Sequence, residues 1–283
     1  MTSVPVDRVG QVIGQRFRVD ALIGRGAMAD VYRALDQQTS AYVALKVLRA
    51  TLLADQSIKQ RFAREAEVQA RLRHRNVAAL LATGVTDRNE PYLVVELLRG
   101  KSLRGTIKAE GRVIARRAAS YTWQALQGLA AVHTQGILHR DLKPANIMLE
   151  PSPGPVERVV LIDFGFATFE GGAKLTQQGT VVGSLTYIAP ERLRGEPIDH
   201  RSDLYSMGVV LYELLVGQPP FHSDDDYQLI DLQLNAPPPP LGADLPVSLG
   251  EVIARSLAKH QRDRYPDAAT MAAAIESAAK DIG

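Results

Sequence analysis

Residues 139–148 read His-Arg-Asp-Leu-Lys-Pro-Ala-Asn-Ile-Met, which puts an acid (Asp141), a base (Lys143) and an amide (Asn146) in one short loop. Two readings fit that stretch alone. Lys-Pro-Ala-Asn can be turn punctuation between two apolar runs, or the three polar groups can be held together for a reaction. Three other stretches pose the same choice. In Ile23-Gly-Arg-Gly-Ala-Met-Ala-Asp-Val-Tyr32, Gly24 and Gly26 stand between strand-like runs. Glycines there serve a hairpin turn equally well or let backbone N–H groups approach phosphate oxygens. Lys46 ends the apolar alternation of Val43-Ala-Leu-Lys46, and Glu65 falls among the apolar positions of the following helical pattern. A carboxylate placed there is costly to bury without a partner, and Lys46 is the obvious one. Asp163 closes the apolar run Val159-Val-Leu-Ile-Asp-Phe-Gly165. A carboxylate at a strand end beside a glycine suits Mg²⁺, which prefers oxygen donors, or an ordinary β-turn.

The elements that must position these groups follow from periodicity. From Arg16 to about Val95 the texture is strand-like: RFRVDALIG, DVYRALD, AYVALKVLR and PYLVVELL are rich in β-branched and aromatic residues separated by turn residues. One helical segment interrupts them, with Ile58, Phe62, Glu65, Val68, Gln69 and Leu72 on one face. After about residue 101 long helical patterns dominate, over 113–135, about 202–217, 247–258 and 267–280. HRDLKPANIML and VERVVLIDFG, joined by the Pro/Gly-rich tip EPSPGP, read as two short apolar strands with a turn between them. Asp203 follows Ser202 where it can cap the 202–217 helix. Glu191 is expected to pair with Arg262 of Gln261-Arg-Asp-Arg-Tyr-Pro266. The proline run 237–240 reads as a stiff connector. The plan is a loose arm over 1–14, a β-rich lobe over 15–98 and a mostly helical lobe over 99–283. A cleft between two such lobes is a common place for a ligand.

Composition narrows the class. At 283 residues, 46% hydrophobic and 23% charged, the chain can bury a real core. Thirty-three Lys and Arg against 31 Asp and Glu leave a net charge of +2, which gives no argument for nucleic acid as a partner. Without cysteine there is neither a disulfide nor a thiolate metal site, and the six histidines show no metal-ligand spacing. The N-terminus has no apolar core segment, and the longest apolar run, 208–216, is too short to span a membrane and carries Glu213. The expected location is the cytoplasm, with an anchor outside this chain left open.

The order of the pieces is more specific than any one of them. A Gly-rich loop, Lys46 on the third strand, Glu65 on the next helix, His139-Arg-Asp141 with Asn146, Asp163-Phe-Gly and Ala189-Pro-Glu191 follow one another as in the protein-kinase signature set. From about Ile13 to Ala279 the chain resembles the eukaryotic-like serine/threonine protein kinases of bacteria. The resemblance implies an α+β, bilobal protein-kinase fold, with a small β-rich N-lobe carrying one main helix and a larger, mostly helical C-lobe. It implies a transferase that moves the γ-phosphoryl of ATP to Ser or Thr hydroxyls of proteins, with Mg²⁺ as cofactor and Mn²⁺ as its substitute. The backbone around Gly24 and Gly26 then covers the phosphates, and Lys46, fixed by Glu65, holds the α- and β-phosphates. Asn146 and Asp163 hold the metal, Asp141 orients the attacking hydroxyl, and Lys143 offsets charge on the transferred group. Adenine lies against Val31, Ala44 and Met148, with backbone groups of Glu96 and Leu98 at its edge and Val95 as a small gatekeeper. Thr176 and Thr180 are the expected phosphorylated positions, with Arg140 as a partner for the phosphate. Bacterial relatives also suggest a homodimer through the small lobe.

Three positions depart from the family pattern. Ala29 stands for the third glycine of the phosphate loop and is tolerable if its φ stays negative. Gln69 replaces an apolar packing residue, so its helix is expected to dock loosely. Ser184 replaces a threonine. Two other functions use related folds: a pseudokinase scaffold and a small-molecule phosphotransferase. The presence of Lys46, Asp141 and Asp163 argues against the first. DLKPAN, Ala-Pro-Glu and the Asp203 helix argue against the second.

Overall fold

The computed structural model describes residues 8–26, 28–154, 156–163 and 185–282. The chain falls into two compact units, one of Met1–His74 and Ala78–Arg99, the other of Arg75–Val77 and Gly100–Gly283.

The first unit is built on one antiparallel sheet. Its strands are β1 (Val12–Ile13), β2 (Phe17–Arg25), β3 (Ala29–Asp36), β4 (Ala41–Leu48), β5 (Leu80–Val85) and β6 (Pro91–Glu96), in the order β1-β2-β3-β4-β6-β5. Side chains alternate across a strand, so register decides which residues share a face. Val43, Leu45 and Val47 of β4 join Phe17, Val19, Tyr32, Ala34, Tyr92 and Val94 in one buried cluster. The opposite face of β4 carries Ala44, Lys46 and Leu48. There Leu48 packs with Ala29, Leu93 and Phe62 of helix α1 (Gln56–Arg71). Asp55 caps α1 by accepting from the N–H groups of Ser57 and Ile58. Gln69 does not loosen this helix. Its buried amide donates to the Ala78 carbonyl at 3.1 Å, so a directional bond stands where an apolar contact was expected.

Residues 1–14 were expected as a loose arm, and from Arg8 onward that expectation fails. The buried Arg8 guanidinium meets the equally buried Glu90 at 2.6 Å, and Val12–Ile13 adds a short strand to the sheet edge. An arginine nine-tenths buried needs such a partner, and the partner ties the segment down. Because β1 precedes it, the strand bearing Lys46 is the fourth of the sheet in chain order.

The second unit holds a small sheet in the order β7-β8-β9, made of β7 (Lys101–Ser102), β8 (Ile147–Glu150) and β9 (Arg158–Leu161). Its helices are α2 (Leu103–Glu110), α3 (Ala115–His133), α4 (Pro190–Arg194), α5 (Arg201–Val216), α6 (Asp226–Asn235), α7 (Val247–Ser256) and α8 (Ala268–Ala278). Helix α5 is buried on every side from Ser202 to Leu215, and side chains of α3, α7 and α8 complete the core around it. Full burial of each large apolar side chain there is worth about 1.5–3 kcal/mol. The buried Ser202, Asp203, Tyr205, Ser206 and Glu213 of α5 each have hydrogen-bond partners, as a low-dielectric surrounding demands. Ser206 donates to the Tyr187 carbonyl at 2.7 Å, and Glu213 accepts from the Tyr187 hydroxyl at 2.6 Å and from Arg104 at 2.6 Å. The proline run 237–240 joins α6 to α7 without helix or strand. Among the described residues no helix is long and apolar enough to cross a membrane.

Gly100 sits against the backbone of β8 with no room for a side chain. A Cβ at that position would collide with the Leu149 carbonyl at the end of β8, whereas one at Gly154 would meet open space. Gly100→Ala is therefore expected to cost about 2 kcal/mol or more through forced backbone movement. Gly154→Ala should leave the melting temperature within a degree or two of the parent. Thermal denaturation of both variants by circular dichroism checks the contrast.

Candidate active site

The first unit gathers the groups expected around a nucleotide onto one face of its sheet. Val31 pairs directly with Lys46, Ala44 with Val95, and Leu93 with Lys46. Directly paired residues point the same way, so Val31, Ala44, Lys46 and Val95 share the face opposite the buried cluster. Lys46 Nζ donates to Glu65 Oε1 at 2.7 Å, with both side chains more than four-fifths buried. That burial holds the ammonium to one direction, because a charge that leaves its partner in such a place is costly. At the end of β2, Gly26 donates its N–H to the Ala29 carbonyl at 2.9 Å and closes the turn expected to cover phosphates. Ala29 itself is not a strained replacement. It lies in regular register opposite Leu48, its φ is not positive, and its methyl is buried beside Phe62. Glu96 gives its N–H to the Ala79 carbonyl at 3.0 Å, so any hydrogen bond it makes to an adenine edge uses its carbonyl oxygen.

The second unit holds the loop with which the sequence began. Lys143 Nζ lies 3.0 and 2.8 Å from the two carboxylate oxygens of Asp141. Asn146 Nδ2 donates to the Asp141 carbonyl and to its Oδ2, both at 2.8 Å. The acid, base and amide are therefore one hydrogen-bonded cluster built around the single 3-10 turn Pro144–Asn146. Since the Asn146 amide nitrogen is spent on Asp141, its side-chain oxygen is the atom left for a cation. The pairing Ile147↔Leu161 and the bond from the Ile162 N–H to the Asn146 carbonyl, 3.0 Å, set Asp163 beside Asn146. An amide oxygen and a carboxylate are hard oxygen donors and fit a divalent cation such as Mg²⁺.

Two residues of this region hold backbone conformations that side chains disfavour: Arg140 at φ 66° and Asp163 at φ 53°. Each costs about 1–3 kcal/mol and persists only where the surroundings impose it. For Arg140 the imposing group is Asp203. Its carboxylate accepts from the N–H groups of His139 (2.8 Å) and Arg140 (2.9 Å), and from His133 Nε2 at 2.8 Å. Asp203 was expected to cap the 202–217 helix. Instead α5 starts at Arg201, and Asp199 takes the Arg201 N–H at 2.8 Å. Burial pushes the Asp203 carboxyl up, but His133, His139 and the Arg140 N–H outweigh it and hold the group below the ordinary aspartate value. For the fully buried His139, burial dominates the opposing carboxylates and pulls the imidazole below its usual range. An acid inside so apolar a helix had to serve something, and that was the available signal; the distant backbone it serves has no local one.

The Glu191 ion pair is also real, but with a different arginine. Arg264, not Arg262, forms it, with Nη1–Oε1 at 2.8 Å and Nη2–Oε2 at 2.7 Å, both side chains almost fully buried. Arg262 is four-fifths exposed and lies 3.8 Å from its neighbour Asp263. Only the arginine beside the buried Tyr265 faces inward. Phe164, Thr176, Thr180 and Ser184 lie outside the described residues.

A sheet face bearing a lysine held by a buried glutamate, and a loop holding a carboxylate, a lysine and an amide, are the pieces the kinase resemblance leads one to expect. The protein kinase domain model matches residues 17–271, and the chain belongs to that family. It is 37% identical over 274 residues to the probable serine/threonine-protein kinase PknB of Corynebacterium glutamicum, covering 93% of this chain and 42% of that protein. It is 36% identical to the serine/threonine-protein kinase pkn3 of Myxococcus xanthus, covering 96% and 52%, and 38% identical to PknB of Mycobacterium tuberculosis, covering 92% and 42%. The chain thus spans about half or less of the length of the curated relatives it matches. Among solved structures, a double mutant of the Mycobacterium tuberculosis PknI kinase domain superimposes with a TM-score of 0.77 at 26% identity, covering 98% of this chain and all of that one. The fold is the protein-kinase fold expected from the motifs, and membership implies ATP and a divalent cation as reaction partners.

The buried pair on α4 has a pH signature. Burial raises the proton affinity of Glu191, but Arg264, by hydrogen bonds and charge, and the Ser202 hydroxyl outweigh it and leave the carboxyl below its ordinary value. The folded state binds this proton more weakly than the unfolded chain does. The stabilisation is therefore full above the unfolded value of about 4.3 and is lost as the pH falls through and below it. Glu191→Gln is expected to cost about 3–5 kcal/mol at pH 7, because Arg264 stays buried without its counter-charge. It should also flatten the acid fall in melting temperature below about pH 4.3. Melting curves between neutral and acid pH check both effects.

Proposed function

We propose that this chain is the catalytic domain of a serine/threonine protein kinase, transferring the γ-phosphoryl of ATP to Ser and Thr hydroxyls of proteins, its own activation segment included. The observation that carries the reading is the bonded set Asp141, Lys143 and Asn146. In a transition state with charge spread over the transferred oxygens, catalysis is mostly positioning and charge stabilisation. Asp141 accepts the hydrogen bond of the incoming hydroxyl and aims its oxygen; the hydroxyl proton moves toward that carboxylate as the new P–O bond forms and the bond to ADP breaks. Lys143, already within 3.0 Å of both Asp141 oxygens, swings its charge to the moving phosphoryl without leaving the acid far behind. Lys46, aimed by Glu65, binds the α- and β-phosphates, and the backbone around Gly24 and Gly26 covers them. Val31, Ala44 and Met148 enclose adenine, with Glu96 and Leu98 at its edge. Asn146 and Asp163 would hold Mg²⁺, which would supply charge neutralisation to the phosphates, and Mn²⁺ would serve in its place.

Phosphorylation of Thr176 or Thr180, read by Arg140, pairing of two copies through the first unit, and a cytoplasmic location complete the reading. All three rest on the family resemblance. A lysine at 143, two residues after the acid, supports serine and threonine over tyrosine as acceptors.

Two measurements test this. Mg²⁺-dependent autophosphorylation should fall by about 10²–10⁴-fold in Asp141→Asn, and equal incorporation by parent and variant would overturn the assignment of Asp141. Val95 is half-buried on the same sheet face as Ala44 and Lys46, and as the small gatekeeper that the family resemblance implies it would admit bulky groups. Val95→Met is expected to weaken bulky ATP-site inhibitors about tenfold or more while ATP itself binds within about threefold, as competition binding will report.

A further inference from the structure

The peptide that joins Arg140 to Asp141 is held through its carbonyl and through the peptide before it. Its upstream neighbour, the Arg140 N–H, is bound by Asp203 Oδ1 at 2.9 Å. Its carbonyl, that of Arg140, accepts from Arg192 Nη1 at 2.7 Å. Because a peptide unit is planar, the direction of the Arg140 carbonyl fixes the plane from which the Asp141 Cα departs. Arg192 stands on α4, a helix of five residues that cannot hold a position by its own length. What seats it is the buried bond of its neighbour Glu191 to Arg264, with the Ser202 hydroxyl adding a third hydrogen bond at 2.5 Å. Burial lowers the Arg192 proton affinity; the charges of Asp203, Asp141 and Glu191 oppose that and Arg140 adds to it, so the guanidinium lies close to the carboxylates of this region.

We propose that Arg192 is a positioning residue for phosphoryl transfer: by holding the Arg140 carbonyl it fixes the peptide plane that carries Asp141, and it couples the aim of Asp141 to the seating of α4. Asp203 alone restrains the N–H side of the left-handed Arg140 residue and leaves rotation about its ψ free. The Arg192 bond removes that rotation. The catalytic acid thereby depends on two anchors from opposite directions, a carboxylate from α5 and a guanidinium from α4.

This inference rests on the kinase reading, and the experiment separates the two. Parent, Asp141→Asn, Arg192→Met and Arg192→Lys are compared in Mg²⁺-ATP-dependent phosphorylation of a generic basic protein, with melting temperatures measured alongside. A parent as inactive as Asp141→Asn would sink the kinase reading itself, and the inference with it. With an active parent, Arg192→Met is expected to lose about 10–100-fold in kcat, since a small misplacement of the acid is enough. Its KM for ATP should stay within about twofold, because the nucleotide is held by other residues. Arg192→Lys, which keeps a charged donor, should regain most of the loss. Parental kcat in Arg192→Met would overturn the proposal; so would a loss accounted for by a smaller folded fraction, or one borne by KM. Should Arg192→Met not fold, Arg192→Gln, with an N–H donor on a shorter stem, replaces it under the same criteria.

Discussion

The larger, mostly helical unit depends on one buried charge. Asp203 sits in the first turn of a helix whose surroundings are otherwise apolar, at 2% exposure. Left without partners there, an ionised carboxylate would cost several kcal/mol. Its oxygens are satisfied by two consecutive backbone N–H groups and a histidine ring from a segment more than sixty residues earlier in the chain. That need works in both directions. The helix cannot close its core without the loop, and the loop cannot hold Arg140 in a left-handed conformation without the helix. Core formation and site formation in this unit are accordingly one event.

The β-rich unit relies on a similar logic carried out with a different geometry. A six-stranded sheet sends alternate side chains of its central strand to opposite sides. One side is filled with Val, Leu and aromatic residues. The other keeps a lysine between an alanine and a leucine and sets a glutamate from α1 against it. The apolar face secures the strand, so the position of Lys46 is inherited from packing that contains no chemistry. The helix side of the same argument is Phe62, almost fully buried three residues before Glu65.

Much of this was legible in order and spacing. The strands 17–25, 29–36, 41–48 and 91–96, the helices 56–71, 115–133, 201–216, 247–256 and 268–278, and the hairpin of β8 and β9 follow from alternation or a 3.6-residue period. The elements that escaped notice share a cause. Leu80-Leu-Ala-Thr-Gly-Val85 is diluted by Ala and Gly. Leu103–Glu110 contains a glycine, and Pro190–Arg194 is a single turn that packing, not propensity, must support. Asp226–Asn235 shows a weak apolar stripe behind three consecutive aspartates. The lysine–glutamate pair and the Asp141 cluster were visible because they are local or belong to a known order of motifs. The partner of Asp203 and the choice between Arg262 and Arg264 were not, because both depend on which side of a loop faces the core, and that is set by residues such as Tyr265 whose burial no period announces.

The amide of Gln69 has a consequence for how α1 moves. Gln69 lies one turn beyond Glu65 on the same side, and its bond to the Ala78 carbonyl has a length and an angle, where a leucine would offer a greasy surface tolerant of sliding. A helix anchored by grease can roll or shift by a fraction of a turn at little expense. One anchored this way behaves like a hinged door with a latch: it stays shut, or it opens by breaking a discrete bond and exposing a polar group that must find water. Displacing α1 in this chain therefore requires breaking that discrete bond, and the bond that keeps the latch shut also keeps Glu65 against Lys46.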